Sequence, residues 1–139
     1  MQTRPGADNE IDGLEPWGDL EVAIAGSTHI GRIRKANQDT FDRFDDRERG
    51  ETLLVVADGM GGHRGGETAS RMAVGTLGKL CIEGEGEPEV RLRAAIERAN
   101  HEIYKLAGKD YTLKGMGTTV VAVLMRRDGP WLVAHVGDS

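Results

Sequence analysis

Leu53-Leu54-Val55-Val56-Ala57-Asp58-Gly59-Met60-Gly61-Gly62-His63 is the stretch from which the fold can be read outward. Its opening run of aliphatic residues is too short and too β-branched for a helix, and suits a buried central strand. That strand delivers Asp58 to its end. A carboxylate placed directly after buried aliphatic residues must be paired, hydrogen-bonded or metal-bound to offset its desolvation. An Asp-Gly pair is also a common turn, which is the competing reading. Gly59, Gly61 and Gly62 let backbone carbonyls approach a ligand closely, and hard cations such as Mg2+ or Mn2+ take oxygen ligands of that kind. A flexible turn before a helix and a phosphate-cradling loop compete here, although the P-loop pattern ending in Gly-Lys-Ser/Thr is not present.

Upstream, Leu20, Val22, Ile24 and Gly26 alternate with Glu21, Ala23 and Ala25, the period of a strand. A basic loop follows from His29 to Asn37, then a short strand candidate over Thr40 to Phe44 and a charged turn over Asp45 to Gly50. Downstream, Ala69, Ala73, Leu77 and Leu80 fall at helical spacing, which predicts a helix over Glu67 to Cys81. The acidic linker Glu83-Gly84-Glu85-Gly86-Glu87 reads as flexible. Pro88 opens a second helix whose stripe of Leu92, Ala95, Ile96, Ala99, Ile103 and Leu106 ends near Gly108. Thr118 to Met125 is strongly β-branched, Asp128-Gly129 supplies a turn, and Trp131 to Val136 returns as a partner strand. The order β-β-β-α-α-β-β argues an α+β fold with mainly antiparallel pairing, because a parallel sheet needs a helix between successive strands.

The 139 residues suit one domain or part of one, with 38% hydrophobic and 29% charged residues. A net charge of −5 leaves no broad electrostatic footprint for nucleic acid. The single cysteine, Cys81, excludes a disulfide framework within the chain and a multi-cysteine zinc site, and fits a reducing cytoplasmic setting. No signal-peptide pattern and no long apolar run stands in this segment, so no membrane association is expected of it. Residues 1–18, rich in Gly, Pro and acidic side chains, read as a flexible lead-in.

Three further segments place glycine or carboxylate at strand ends: Arg34-Lys35-Ala36-Asn37-Gln38-Asp39, Gly115-Met116-Gly117-Thr118-Thr119 and Val136-Gly137-Asp138-Ser139. With Asp58-Gly59-Met60-Gly61-Gly62-His63 and the following Gly65, Glu67, Ala69 and Ser70, they resemble, in order, the motifs of bacterial metal-dependent protein phosphatases of the type 2C (PPM) family. The resemblance runs from about Glu21 to Ser139 and corresponds to the N-terminal portion of the family domain, so 19–139 is assigned to it. It implies an antiparallel β-sandwich flanked by helices in α-β-β-α layers, present here only in part.

The same resemblance implies a protein serine/threonine phosphatase that hydrolyses phosphoserine and phosphothreonine, with two Mn2+ or Mg2+ ions per complete domain and a hydroxide held between them as nucleophile. Asp58 would bridge the metals, the Gly59 carbonyl would ligate one, and Asp39 would hold a metal-bound water or sit just behind the ligands. Arg34 would bind the substrate phosphate through its guanidinium fork. The implied partners are phosphorylated proteins, in opposition to a serine/threonine kinase. Gln38 stands where many members have Glu. Met60 stands where eukaryotic members have a His able to protonate the leaving group, and His63 is a candidate substitute. The family's later Asp-Gly and Asp-Asn carboxylates have no counterpart here, so weak metal binding and negligible turnover are expected of the chain alone. The alternative is a truncated, catalytically silent phosphatase-fold module with a binding or regulatory role. Thr118 and Thr119 read simply as the start of a strand.

Overall fold

The structure, a computed structural model, describes residues 10–17, 20–33 and 35–139. Strand β1 (Glu10–Trp17) pairs antiparallel with β2 (Leu20–Ser27) along its whole length, from Glu10 opposite Ser27 to Trp17 opposite Leu20. Part of the expected lead-in is thus a strand. Its few, irregularly spaced apolar residues hide it, since its regularity comes from main-chain pairing with β2. Pro16, which cannot donate to a ladder, is accommodated because β1 has a partner on one side only among the described residues.

The main sheet is built on β4 (Glu51–Met60), which pairs with β3 (Asp39–Asp46) on one side and β6 (Val120–Arg126) on the other. Beyond β6 lies β7 (Leu132–Val136), and the two-residue β5 (Gly117–Thr118) extends the β6 side against the end of β4. Every pairing is antiparallel. Two helices, α1 (Gly62–Glu83) and α2 (Pro88–Lys109), cover one face, as the α+β reading requires. Their apolar stripes, Ala69, Ala73, Leu77 and Cys81 from α1 with Leu92, Ala95, Ala99 and Ile103 from α2, enclose Leu53, Val55 and Ala57 of β4 and Ala122 and Leu124 of β6. Burial of an aliphatic side chain of this size contributes roughly 1.5–3 kcal/mol, so this layer holds most of the stability.

The opposite face is covered less completely. Ile24 of β2 packs on Phe41 and Met125, with Leu54 and Val123 alongside. Val56 and Val133 on that face are 55% and 70% exposed. The aliphatic run of β4 therefore reads as buried on both faces, whereas strict alternation puts Leu53, Val55, Ala57 and Gly59 inside and turns Val56, Asp58 and Met60 outward.

Helix α1 starts five residues before the expected Glu67, so Gly62, Gly65 and Gly66 belong to its first turns. Glycine costs about 1 kcal/mol per position in a helix interior, and the close approach of β4 to this turn, described below, is what requires it. The linker between the helices is anchored rather than free. Arg91 is buried in α2, and its guanidinium donates to the Gly86 carbonyl at 3.0 Å, to the Cys81 carbonyl, and to both Glu51 carboxylate oxygens at 2.7 and 2.8 Å. A fully buried polar hub of this kind is stable only when each charge is met, and here the bidentate pair and two carbonyls meet it.

Candidate metal and phosphate site

Asp58 and Asp39 stand directly opposite one another on β4 and β3. The Gly59 N–H donates to the Gln38 carbonyl at 3.0 Å, one step beyond that pair. Asp39 and Asp58 are therefore a non-hydrogen-bonded rung, the closer of the two antiparallel pair types, with Cβ atoms about 4.5–5.5 Å apart on one face. Like charges at that position repel, unless a cation lies between them. Asp58 is exposed and Asp39 half-buried, so strand alternation, and not burial, brings this carboxylate to where it can bind. Among the described residues no cation pairs with the Asp58 carboxylate.

Gly59 is hemmed in from two sides, by Gly66 and by Gln38. A Cβ there would collide with the Gly66 carbonyl in the first turns of α1 and lie 2.8 Å from the Gln38 carbonyl oxygen. A Cβ on Gly66 would in turn lie 2.8 Å from the Gln38 side chain and 2.9 Å from the Gly59 carbonyl carbon. The Gln38 amide donates to the Gly62 carbonyl at 2.7 Å. The Gln38 side chain thus ties the entry of β3 to the N-terminus of α1. Behind it, the Thr40 and Ser70 hydroxyls lie 2.8 Å apart and join β3 to α1 again.

From the other side, Asp58 is gripped through its backbone by Thr118 and Thr119. The Thr118 hydroxyl donates to the Asp58 carbonyl at 3.0 Å and the Thr119 N–H donates to the same oxygen at 2.9 Å. The Asp58 N–H donates to the Thr119 hydroxyl at 3.2 Å. The register runs on from Val56 opposite Val121 to Gly59 opposite Thr118, so Asp58 faces Thr119. At this rung a hydroxyl takes the place of the main-chain acceptor, and the ladder is interrupted between β5 and β6. The Ser139 hydroxyl donates to Thr119 Oγ1 at 2.6 Å. Gly137, at φ +99°, passes so close that a Cβ on it would lie 2.9 Å from Thr119 Cγ2. The reading of Thr118 and Thr119 as mere strand starters misses this, although their place after Gly115-Met116-Gly117, in a segment grouped with Asp58, was a usable signal.

The structure therefore brings together Asp39, Asp58 and Gly59, with Gln38 behind them. Arg34 lies outside the described residues, as does the side chain of His63, whose backbone is in the first turn of α1. Met60, at the end of β4, is 53% exposed. A cleft of about 370 Å3 between β2 and the β3–β4 pair has Asp39 and Asp58 among its lining residues, with Thr28, Phe41 and Val56. The donor set of two carboxylates and a closely held main-chain carbonyl is all oxygen, which fits Mg2+ or Mn2+ and not a soft metal. Among the described residues no group of three or more His, Cys, Asp or Glu side chains converges, so these residues could supply part of a ligand set and not a whole one.

Proteins of known family resemble most of this chain. The family described as Protein phosphatase 2C matches residues 25–139. The serine/threonine phosphatase stp of Listeria monocytogenes is 41% identical over 117 residues, covering 81% of this chain and 46% of the relative. A solved structure of the S. agalactiae serine/threonine phosphatase superposes with a TM-score of 0.65 at 39% identity, over 79% of this chain and 46% of that one. The catalytic domain of the serine/threonine protein phosphatase PstP, solved in complex with two manganese ions, gives a TM-score of 0.64 at 34% identity over 79% of this chain and 45% of its own. The chain thus spans about half the length of the relatives it matches.

Proposed function

The chain belongs to the protein phosphatase 2C family, and on that premise we propose that it contributes the Asp58 half of a metal-dependent site hydrolysing phosphoserine and phosphothreonine in proteins. The observation that carries this reading is the Asp39–Asp58 rung: two carboxylates set face to face at a strand end, beside a carbonyl that only glycine allows so close to a helix. Asp58 and the Gly59 carbonyl would hold Mn2+ or Mg2+ directly, and Asp39 would orient water at that position. When bound, such a cation offsets phosphate charge and makes water acidic enough to attack at neutral pH. Asp58 and Asp39 supply the negative potential that draws the cation in, Gln38 fixes the Gly59 peptide, and Arg34 would orient the phosphate with its planar fork. The substrates would be phosphorylated proteins, the opposing enzyme a serine/threonine kinase, and the compartment the cytoplasm. No described helix is long and apolar enough to cross a membrane.

The convergence of only two carboxylates among the described residues supports a second reading, a phosphatase-fold module that binds or regulates without turnover. Calorimetric titration of the 139-residue chain with Mn2+, followed by p-nitrophenyl phosphate hydrolysis, separates the two. Asp58-dependent binding with negligible hydrolysis is the expected result for this chain. Absence of Mn2+ binding would sink the metal-site reading, and robust Asp58-dependent hydrolysis would refute the expectation that two carboxylates are too few for turnover.

A further inference from the structure

We propose that Thr119 is a positioning residue, whose hydroxyl sets the orientation of the Asp58 peptide and thereby the affinity of the site for a divalent cation. The inference rests on the metal-ligand reading of Asp58 and extends it to a residue with no carboxylate of its own.

An ordinary antiparallel rung of this type would have Asp58 and Thr119 exchanging both main-chain bonds. Only one of the two is made, from the Thr119 N–H to the Asp58 carbonyl. The second is replaced by Asp58 N–H to Thr119 Oγ1, while the Thr119 carbonyl lies 2.9 Å from the Thr118 hydroxyl, whose single proton it shares with the Asp58 carbonyl. This exchange interrupts the regular ladder at the residue that bears the carboxylate. Thr119 is 4% exposed, so water does not offer the Asp58 N–H an easy substitute on that side. The hydroxyl itself is held in place: Ser139 donates to it, and Gly137 leaves room for its Cβ and methyl. Two segments remote from Asp58 in sequence thus converge on it through one oxygen atom.

A valine at 119 keeps the shape and removes the acceptor, so the Asp58 N–H must either go unpaired or return to the regular rung. Both move the carboxylate. A serine keeps the acceptor and loses the methyl. The test compares the 139-residue chain with its Thr119→Val and Thr119→Ser variants by Mn2+ calorimetry and by amide hydrogen exchange in β4. Thr119→Val is expected to bind Mn2+ about tenfold more weakly and to exchange the Asp58 amide about tenfold faster, the scale of one lost buried hydrogen bond. Amides earlier in β4, such as those of Leu53 and Val55, are expected to keep their protection, and Thr119→Ser to restore both readouts. Wild-type Mn2+ affinity in Thr119→Val would overturn the proposal, as would failure of Thr119→Ser to rescue or a uniform loss of protection along β4. Absence of Mn2+ binding by the unsubstituted chain is a separate result, which removes the metal reading itself and this role with it.

Discussion

The two ends of β4 solve the same electrostatic problem in opposite ways. At its start, Glu51 is buried, takes both oxygens' worth of hydrogen bonds from Arg91, and has Arg126 a further 3.7 Å away. At its end, Asp58 is exposed and faces a second carboxylate. One end is closed on its own countercharges, and at the other no cation among the described residues meets the Asp58 carboxylate. If Asp58 binds a cation as proposed, a structural acid and a binding acid can be told apart on a single strand by what stands across from each.

The largest expected break in that comparison is Arg91→Ala. It strips the countercharge from a buried carboxylate and frees the Gly86 carbonyl of the linker and the Cys81 carbonyl near the end of α1, and should cost about 3–5 kcal/mol in urea unfolding. A loss below about 1 kcal/mol, the range of surface pairs, would mean that Glu51 is solvated and the contrast false. Next comes Cys81, adjacent to the same hub. Burial pushes its thiol up to about 11 from an ordinary 9.0, with Arg91 opposing and Glu51 reinforcing the shift. A thiol with a raised folded pKa contributes stability below its unfolded value and loses it as pH rises from about 9 towards 11. Native protein at pH 8 is therefore expected to react with a thiol reagent far more slowly than protein in urea; equal rates would show that this end opens readily. The smallest effect belongs to the other end. Without metal, Asp58→Asn relieves a like-charge rung and should raise stability by about 0.2–1 kcal/mol. In the presence of Mn2+ the unsubstituted chain should gain stability and the variant should not. If Asp58→Asn destabilises the metal-free chain, Asp58 is paired like Glu51 and the two ends are alike.

Most of the architecture was legible because it is periodic. The helical stripes, the β-branched runs and the Pro88 start are local signals, and the α+β order with antiparallel pairing follows from them. What escaped is non-local. β1 exists because β2 pairs with it, and nothing in the spacing of Ile11, Leu14 and Trp17 announces this. The start of α1 was displaced because glycine argues against helix locally, while Gly66 is demanded by Gly59 across the interface. Asp58 was singled out, though for desolvation that alternation spares it. Arg91 falls in line with the buried stripe of Leu92, Ala95 and Ala99, but a single Arg near a helix start reads as solvated until the strand beneath it supplies Glu51. Thr119 was passed over because a hydroxyl that bonds a neighbouring backbone cannot be distinguished in sequence from one that merely favours a strand.

The pairing of Asp39 with Asp58 also makes the length of a distant turn a functional quantity. Side chains on a strand alternate between faces, so a slip of one residue between β3 and β4 would carry Asp39 to the helix face and bring a neighbour opposite Asp58. The turn that sets this register lies at residues 47–50, at the far end of both strands, where Gly50 adopts φ +61°. Substitutions in that turn should be tolerated widely except at Gly50, whose positive φ favours glycine. Deletion of a single residue there should silence the site while leaving each of its side chains in the sequence.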